Sequence, residues 1–281
     1  MPSRLTRLDV EAAGTDAPFK ARLYRTSATC DRALVWAHGG AFMFGDLDMP
    51  EADAVAAWLA EHGWAVLSVD YRLAPMTDFE SLTIGEDGHP FPAAHDDLIA
   101  AFDWMVAHAE DLGCDADQVL LGGASAGANL AAGVAVALRD RAQAGPAGLL
   151  LAYPIVHAQL PDPSDELREA VRDVPPEHRF PPEIVTLFNL NYVGGDASLL
   201  TDPRAFPGEG DPTGLPRTLI VNSEKDDLRS SGERYAAQLA AAGVAVECSY
   251  EAGAEHGFLN EPDNPAFERT LARFLTWSAS R

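Results

Sequence analysis

The sequence predicts a single doubly wound α/β domain. Three observations lead there. Short, almost continuously apolar runs alternate with helical patterns along most of the chain, as buried parallel strands do when helices cover both faces. The 281 residues are enough for one globule that buries about three quarters of its unfolded surface. A hydrophobic content of 47% and a mean hydropathy of −0.08 are those of a globular protein, neither disordered nor membrane-embedded.

The elements follow in order. Leu5–Val10 and Phe19–Arg25 alternate between apolar and polar residues and predict an edge hairpin. Residues 33–37, 65–71, 118–122, 148–153 and 217–222 read as buried strands, and 246–250 as one more. Between them, Val55/Trp58/Leu59, Leu98/Ala101/Phe102/Met105, Leu130/Val134/Leu138, Tyr235/Leu239 and Phe267/Leu271/Phe274 recur at three- and four-residue spacing, which predicts helices. Two segments break this rhythm. Residues 76–88 read as a surface loop, and 157–192 as a Pro- and charge-rich insertion with helical pieces, a cap.

Charge narrows the partners. Twenty Lys+Arg against 43 Asp+Glu give a net charge of −23, which argues against nucleic acid or an anionic membrane. Only Lys20 and Lys225 are lysines. Cys30, Cys114 and Cys248 are too few and too scattered for a disulfide framework or a metal set. The first residues lack the apolar run of a signal peptide, and no stretch nears the roughly 20 apolar residues of a membrane span, so a cytoplasmic protein is expected. Oligomeric state stays open, a homodimer included.

The chemistry starts at Gly123-Ala124-Ser125-Ala126-Gly127. This run follows a strand and opens a helix, a sharp turn that exposes a serine hydroxyl above a helix N-terminus. Earlier, His38-Gly39-Gly40-Ala41-Phe42 follows another strand, and the N–H groups of Gly39, Gly40 and Ala126 are candidates for an oxyanion hole. Of eight histidines only His256 lies beyond residue 178, placed after the last strand where a base belongs, with an imidazole that titrates near neutrality. Glu224, Asp226 and Asp227 are all candidates for the acid that orients it. His95-Asp96-Asp97 reads as a solvated helix start and not a metal cluster, Trp58 and Trp104 as packing, and Tyr71-Arg72 as a brace beneath the glycine loop.

In this order the motifs resemble those of the hormone-sensitive-lipase-like family of α/β-hydrolase serine esterases, from about residue 20 to 280. The likeness rests on His38-Gly39-Gly40, Asp70-Tyr71-Arg72-Leu73-Ala74-Pro75, His89-Pro90-Phe91-Pro92-Ala93-Ala94, the Ser125 pentapeptide, Asp226-Asp227-Leu228-Arg229 and His256-Gly257-Phe258. It implies an α/β-hydrolase fold with a small helical cap, Asp226 as the triad acid beside Ser125 and His256, and no metal or organic cofactor. It also implies cleavage of short-chain carboxylic esters, which the triad chemistry would carry through an acyl-enzyme and the acidic charge would restrict to uncharged substrates. Ala41, Ala124 and Ala128 depart from the family pattern. An arylformamidase-like amide hydrolase is the alternative enzyme, and a non-catalytic ligand-binding protein on the same scaffold the alternative class. Acidic residues concentrate in 76–88 (Asp78, Glu80, Glu86, Asp87) and 157–192 (seven acids against three arginines), the two segments expected around the pocket mouth.

Overall fold

The computed structural model describes residues 4–14, 16–27, 29–77, 81 and 83–280. Its elements are β1 (Thr6–Ala12), β2 (Phe19–Arg25), β3 (Arg32–Ala37), α1 (Pro50–Glu61), β4 (Trp64–Asp70), α2 (Ala93–His108), β5 (Leu120–Ala124), α3 (Ala126–Asp140) and β6 (Leu149–Ala152). They continue with α4 (Asp165–Ala170), α5 (Pro182–Tyr192), β7 (Thr218–Lys225), α6 (Arg229–Ala241), β8 (Val246–Glu255) and α7 (Pro265–Ala279). The strands form one eight-stranded sheet ordered β1-β2-β4-β3-β5-β6-β7-β8. The β1–β2 and β2–β4 pairs are antiparallel and the rest parallel, so the N-terminal hairpin closes one edge of a parallel sheet.

The apolar runs are explained by the two layers they feed. Ala33, Val35 and Ala37 of β3 point into a core shared with α2, α3 and α6, whereas Leu34 and Trp36 of the same strand point into one shared with α1 and α7. With both faces covered, every position is apolar and the strand loses its alternation. Helix starts use local chemistry: Pro50, Pro182 and Pro265 occupy first-turn positions, and the side chains of Ser164 and Asn264 cap α4 and α7.

Differences from the sequence reading lie at element ends. The last strand, expected over 246–250, runs to Glu255, past an irregularity in its pairing with β7 between Ser223 and Lys225. The insertion between β6 and β7 contains α4 and α5. The 76–88 segment is tied to α5 through Asn191, which accepts from Gly85 N–H at 3.0 Å and donates to the Pro75 carbonyl at 2.5 Å. Asp78 and Glu80, half of that segment's acids, lie outside the described residues.

Candidate active site

The residues that could do chemistry gather at the C-terminal ends of β3, β5, β6, β7 and β8. Ser125 stands between β5 and α3 with φ 52° and ψ −116°, a conformation costing a non-glycine residue about 1–3 kcal/mol. Its N–H donates to the Ala152 carbonyl at 2.9 Å, which ties the turn to β6. Neighbouring glycines let the backbone crowd in: a Cβ at Gly127 would lie 2.1 Å from the Ala37 carbonyl oxygen.

His256 follows β8. Its Nε2 is 3.0 Å from Ser125 Oγ, and its Nδ1 is 2.7 Å from Asp226 Oδ2. The Asp226 side chain is fully buried, and its other oxygen accepts from Leu228 N–H at 2.9 Å. The other two candidate acids point elsewhere: Glu224 accepts from Gly253 N–H at 2.5 Å, and Asp227 takes Arg179 in a two-bond fork at 2.7 and 2.8 Å. Burial by itself would lower the His256 pKa. The Asp226 carboxylate, helped by Glu51 and Asp227, outweighs burial and holds the imidazole above its ordinary value.

The glycine loop requires a correction. Gly39 N–H, expected to face a substrate oxygen, donates instead to Glu51 Oε2 at 2.5 Å. Gly40, Ala41 and Phe42 of this turn line the cavity, at φ 112°, 50° and 65°. The N–H groups of the first two have no hydrogen-bond acceptor among the described residues, and Ala126 N–H is a first-turn donor of α3 with no helical partner. Beneath the turn, the Tyr71 hydroxyl donates to the His38 and Gly39 carbonyls at 2.9 and 3.1 Å, and the His38 ring stacks on Tyr71. Tyr71 is therefore a brace, and Arg72 forms a half-buried ion pair with Asp97.

A cavity of about 340 Å³ opens over Ser125 and His256. Its walls are largely apolar: Phe44, Ile155, Phe180, Val185, Phe188 and Leu228. The insertion supplies Phe180, Val185, Phe188 and Asn189, none of them charged, while the described residues of 76–88 supply no wall. Several acids of the insertion are also paired, Asp165 with Arg168, Glu169 with Arg172 and Glu166 with Arg229. The acidity expected around the mouth is thus weaker than the residue count implies. His95, Asp96 and Asp97 form no metal set, and among the described residues no cluster of three metal-binding side chains exists.

A family model for the α/β-hydrolase fold matches residues 34–260. The chain belongs to this family. Within it, the hormone-sensitive-lipase-like esterases are the group whose motifs it carries. It is 36% identical over 252 residues to carboxylesterase NlhH of Mycobacterium tuberculosis, covering 88% of this chain and 72% of that protein. It is 32% identical over 246 residues to the ethyl acetate hydrolase of Pseudomonas putida, covering 85% and 70%. The esterase of the archaeon Pyrobaculum calidifontis superposes with a TM-score of 0.83 at 31% identity, covering 99% of this chain and 83% of that one. Among the described residues no helix is long and apolar enough to cross a membrane.

Sequence reasoning missed Glu51, Tyr153, Phe180 and Arg179. For Glu51 a signal existed: it stands four residues before Val55 and eight before Leu59, an acid on the buried stripe of α1.

Proposed function

We propose that this protein hydrolyses short, uncharged carboxylic esters through an acyl-enzyme, with Ser125 as nucleophile, His256 as base and Asp226 as the acid that orients it. Carboxylic ester hydrolysis is the activity named for its relatives, and the finer assignments are our reading. Ser125 Oγ attacks the ester carbonyl carbon while its proton passes to His256 Nε2. The N–H groups of Gly40, Ala41 and Ala126 face the developing oxyanion. His256 then returns the proton to the departing alcohol oxygen as the C–O bond breaks, and water cleaves the acyl-enzyme by the same relay.

The observation that carries this reading is the unbroken line Ser125–His256–Asp226, at 3.0 and 2.7 Å, opening into an apolar cavity. The limited volume and aromatic walls favour short acyl chains. In the same reading residues 1–281 form one hydrolase domain with 157–192 as its cap. Free Cys30, Cys114 and Cys248 support a cytoplasmic setting.

The test pairs labelling with turnover. An organophosphonate should modify Ser125 stoichiometrically, read by mass spectrometry, and p-nitrophenyl esters should be cleaved fastest at short acyl length. A folded protein that resists the label is not a serine esterase. Faster cleavage of formylated aromatic amides would favour the formamidase alternative.

A further inference from the structure

We propose that Glu51 is a positioning residue for both halves of the reacting centre: its carboxylate fixes the turn that presents the oxyanion donors, and through Tyr153 it sets a buried negative charge behind the His256 imidazole. The proposal rests on the ester-hydrolase reading above. Glu51 is only 2% exposed, on a helix face that otherwise buries Val55 and Leu59. Burying a carboxylate is costly unless its oxygens are satisfied. Among the described residues no lysine or arginine pairs with it. Its partners are donors: Gly39 N–H and the Tyr153 hydroxyl, each at 2.5 Å, and the Asn260 amide at 3.4 Å. Burial pushes the Glu51 carboxyl above the usual carboxylate range, and the Tyr153 hydroxyl and Gly39 N–H, with the imidazolium that forms at His256, pull it back toward the ionised form.

Each partner leads back to the chemistry. Gly39 immediately precedes Gly40 and Ala41, so the Glu51–Gly39 bond sets where their N–H groups point. The Tyr153 ring packs edge-on against His256 at 5.0 Å. Glu51 itself lines the cavity beside Ser125 and His256. The nearby positive charge is therefore the one His256 acquires during the reaction, and attraction to Glu51 contributes to the raised His256 pKa, after the larger effects of burial and Asp226. The polar and charged groups facing the imidazole are Asp226 and Asp227 from the β7–α6 turn, Glu51 from α1, Tyr153 just after β6, and Ser125. Glu255, next in the chain, pairs outward with His178 at 2.8 Å. Around Glu51 the titratable groups are Tyr153, Tyr71 and His256.

Two variants test the two roles on one substrate, p-nitrophenyl acetate. Glu51→Gln keeps the shape and removes the charge. We expect kcat to fall about ten- to hundredfold with KM changed less than about twofold, because one amide oxygen cannot serve both Gly39 and Tyr153. We also expect the acid limb of kcat/KM to move down by about half a pH unit or more, because imidazolium loses a neighbouring anion. Glu51→Asp keeps the charge but is one methylene shorter, so kcat should fall while the acid limb stays near wild type. A purely structural Glu51 would not move the limb. An unmoved limb in folded Glu51→Gln, a separate aliquot of which still takes the phosphonate label fully at Ser125, overturns the proposal, as does a loss confined to KM. Where Glu51→Gln yields no folded protein, Glu51→Asp decides: reduced kcat at unchanged KM supports the proposal, and wild-type kcat overturns it. Wild type without esterase activity or Ser125 labelling would instead sink the underlying reading.

Discussion

Asp226→Asn and Asp227→Asn alter adjacent carboxylates that meet different partners, so the two variants should fail in different ways. Asparagine at 226 must keep its oxygen on Leu228 N–H, now at 2.9 Å, which turns its NH₂ toward His256 Nδ1. The imidazole then carries its proton on Nε2, facing Ser125, and cannot accept another there. The expected loss is about 10⁴ in kcat, with KM little changed. At 227, the carboxylate holds Arg179 by two bonds and Phe180 N–H by a third at 2.9 Å. Asparagine keeps one acceptor oxygen and loses the charge. Both side chains are partly exposed, 15% for Asp227 and 31% for Arg179, so solvent weakens the ion pair. About 1–2 kcal/mol remains at stake. The loss reaches catalysis only through Phe180, which lines the cavity with its ring 4.7 Å from His256. It should appear as a rise of roughly 5- to 30-fold in KM with kcat nearly intact. Steady-state kinetics on p-nitrophenyl acetate and butyrate separate the cases. Asp227→Asn losing about 10³ in kcat at constant KM, or Asp226→Asn staying within about tenfold of wild type, would refute the assignment of these two acids.

Three further outcomes are expected. Because His256 is held above the ordinary imidazole value of about 6.5, and its protonation removes the base, kcat/KM should fall as pH drops through a value above about 6.5; a limb below 6 contradicts this. Gly127→Ala would drive a Cβ against the Ala37 and His38 carbonyl oxygens, at 2.1 and 2.4 Å, and should cost more than about 2 kcal/mol in urea unfolding. With a net charge of −23, neutral esters should outpace matched carboxylate-bearing ones, and the gap should narrow as salt rises; a gap indifferent to salt assigns the acidity to the surface alone.

The legible part of this molecule is the part written locally. Ser125 announces itself because a strand-to-helix turn demands small neighbours, and the apolar runs of β3 to β7 because two covered faces erase alternation. Which acid meets His256 is not local: Asp226 and Asp227 are adjacent, and their partners, His256 and Arg179, come from 30 and 48 residues away. The oxyanion turn was misread for the same reason. A Gly-Gly pair offers several N–H groups, and the dihedrals at Gly40 and Ala41, with a carboxylate twelve residues away, select which remain available. Arg179 reaches Asp227 across 48 residues with no pattern to mark it. Glu51 was readable in principle, as one acid out of place on an apolar stripe.

The division of the core into two layers has a mechanical consequence. Ala126 and Leu130, just after Ser125, pack with α2 and α6 on one side of the sheet. Tyr153, Ala254 and Phe258, which flank the imidazole, pack with α1 and α7 on the other, and Glu51 rides on α1. Ala124, just before Ser125, packs in this second layer as well, so the serine stands astride the two layers while the imidazole leans on one of them. Loosening either side parts them, whichever side gives first. The 3.0 Å contact between serine and imidazole therefore depends on both layers holding, and on heating esterase activity should be lost before the far-UV circular dichroism of the strands.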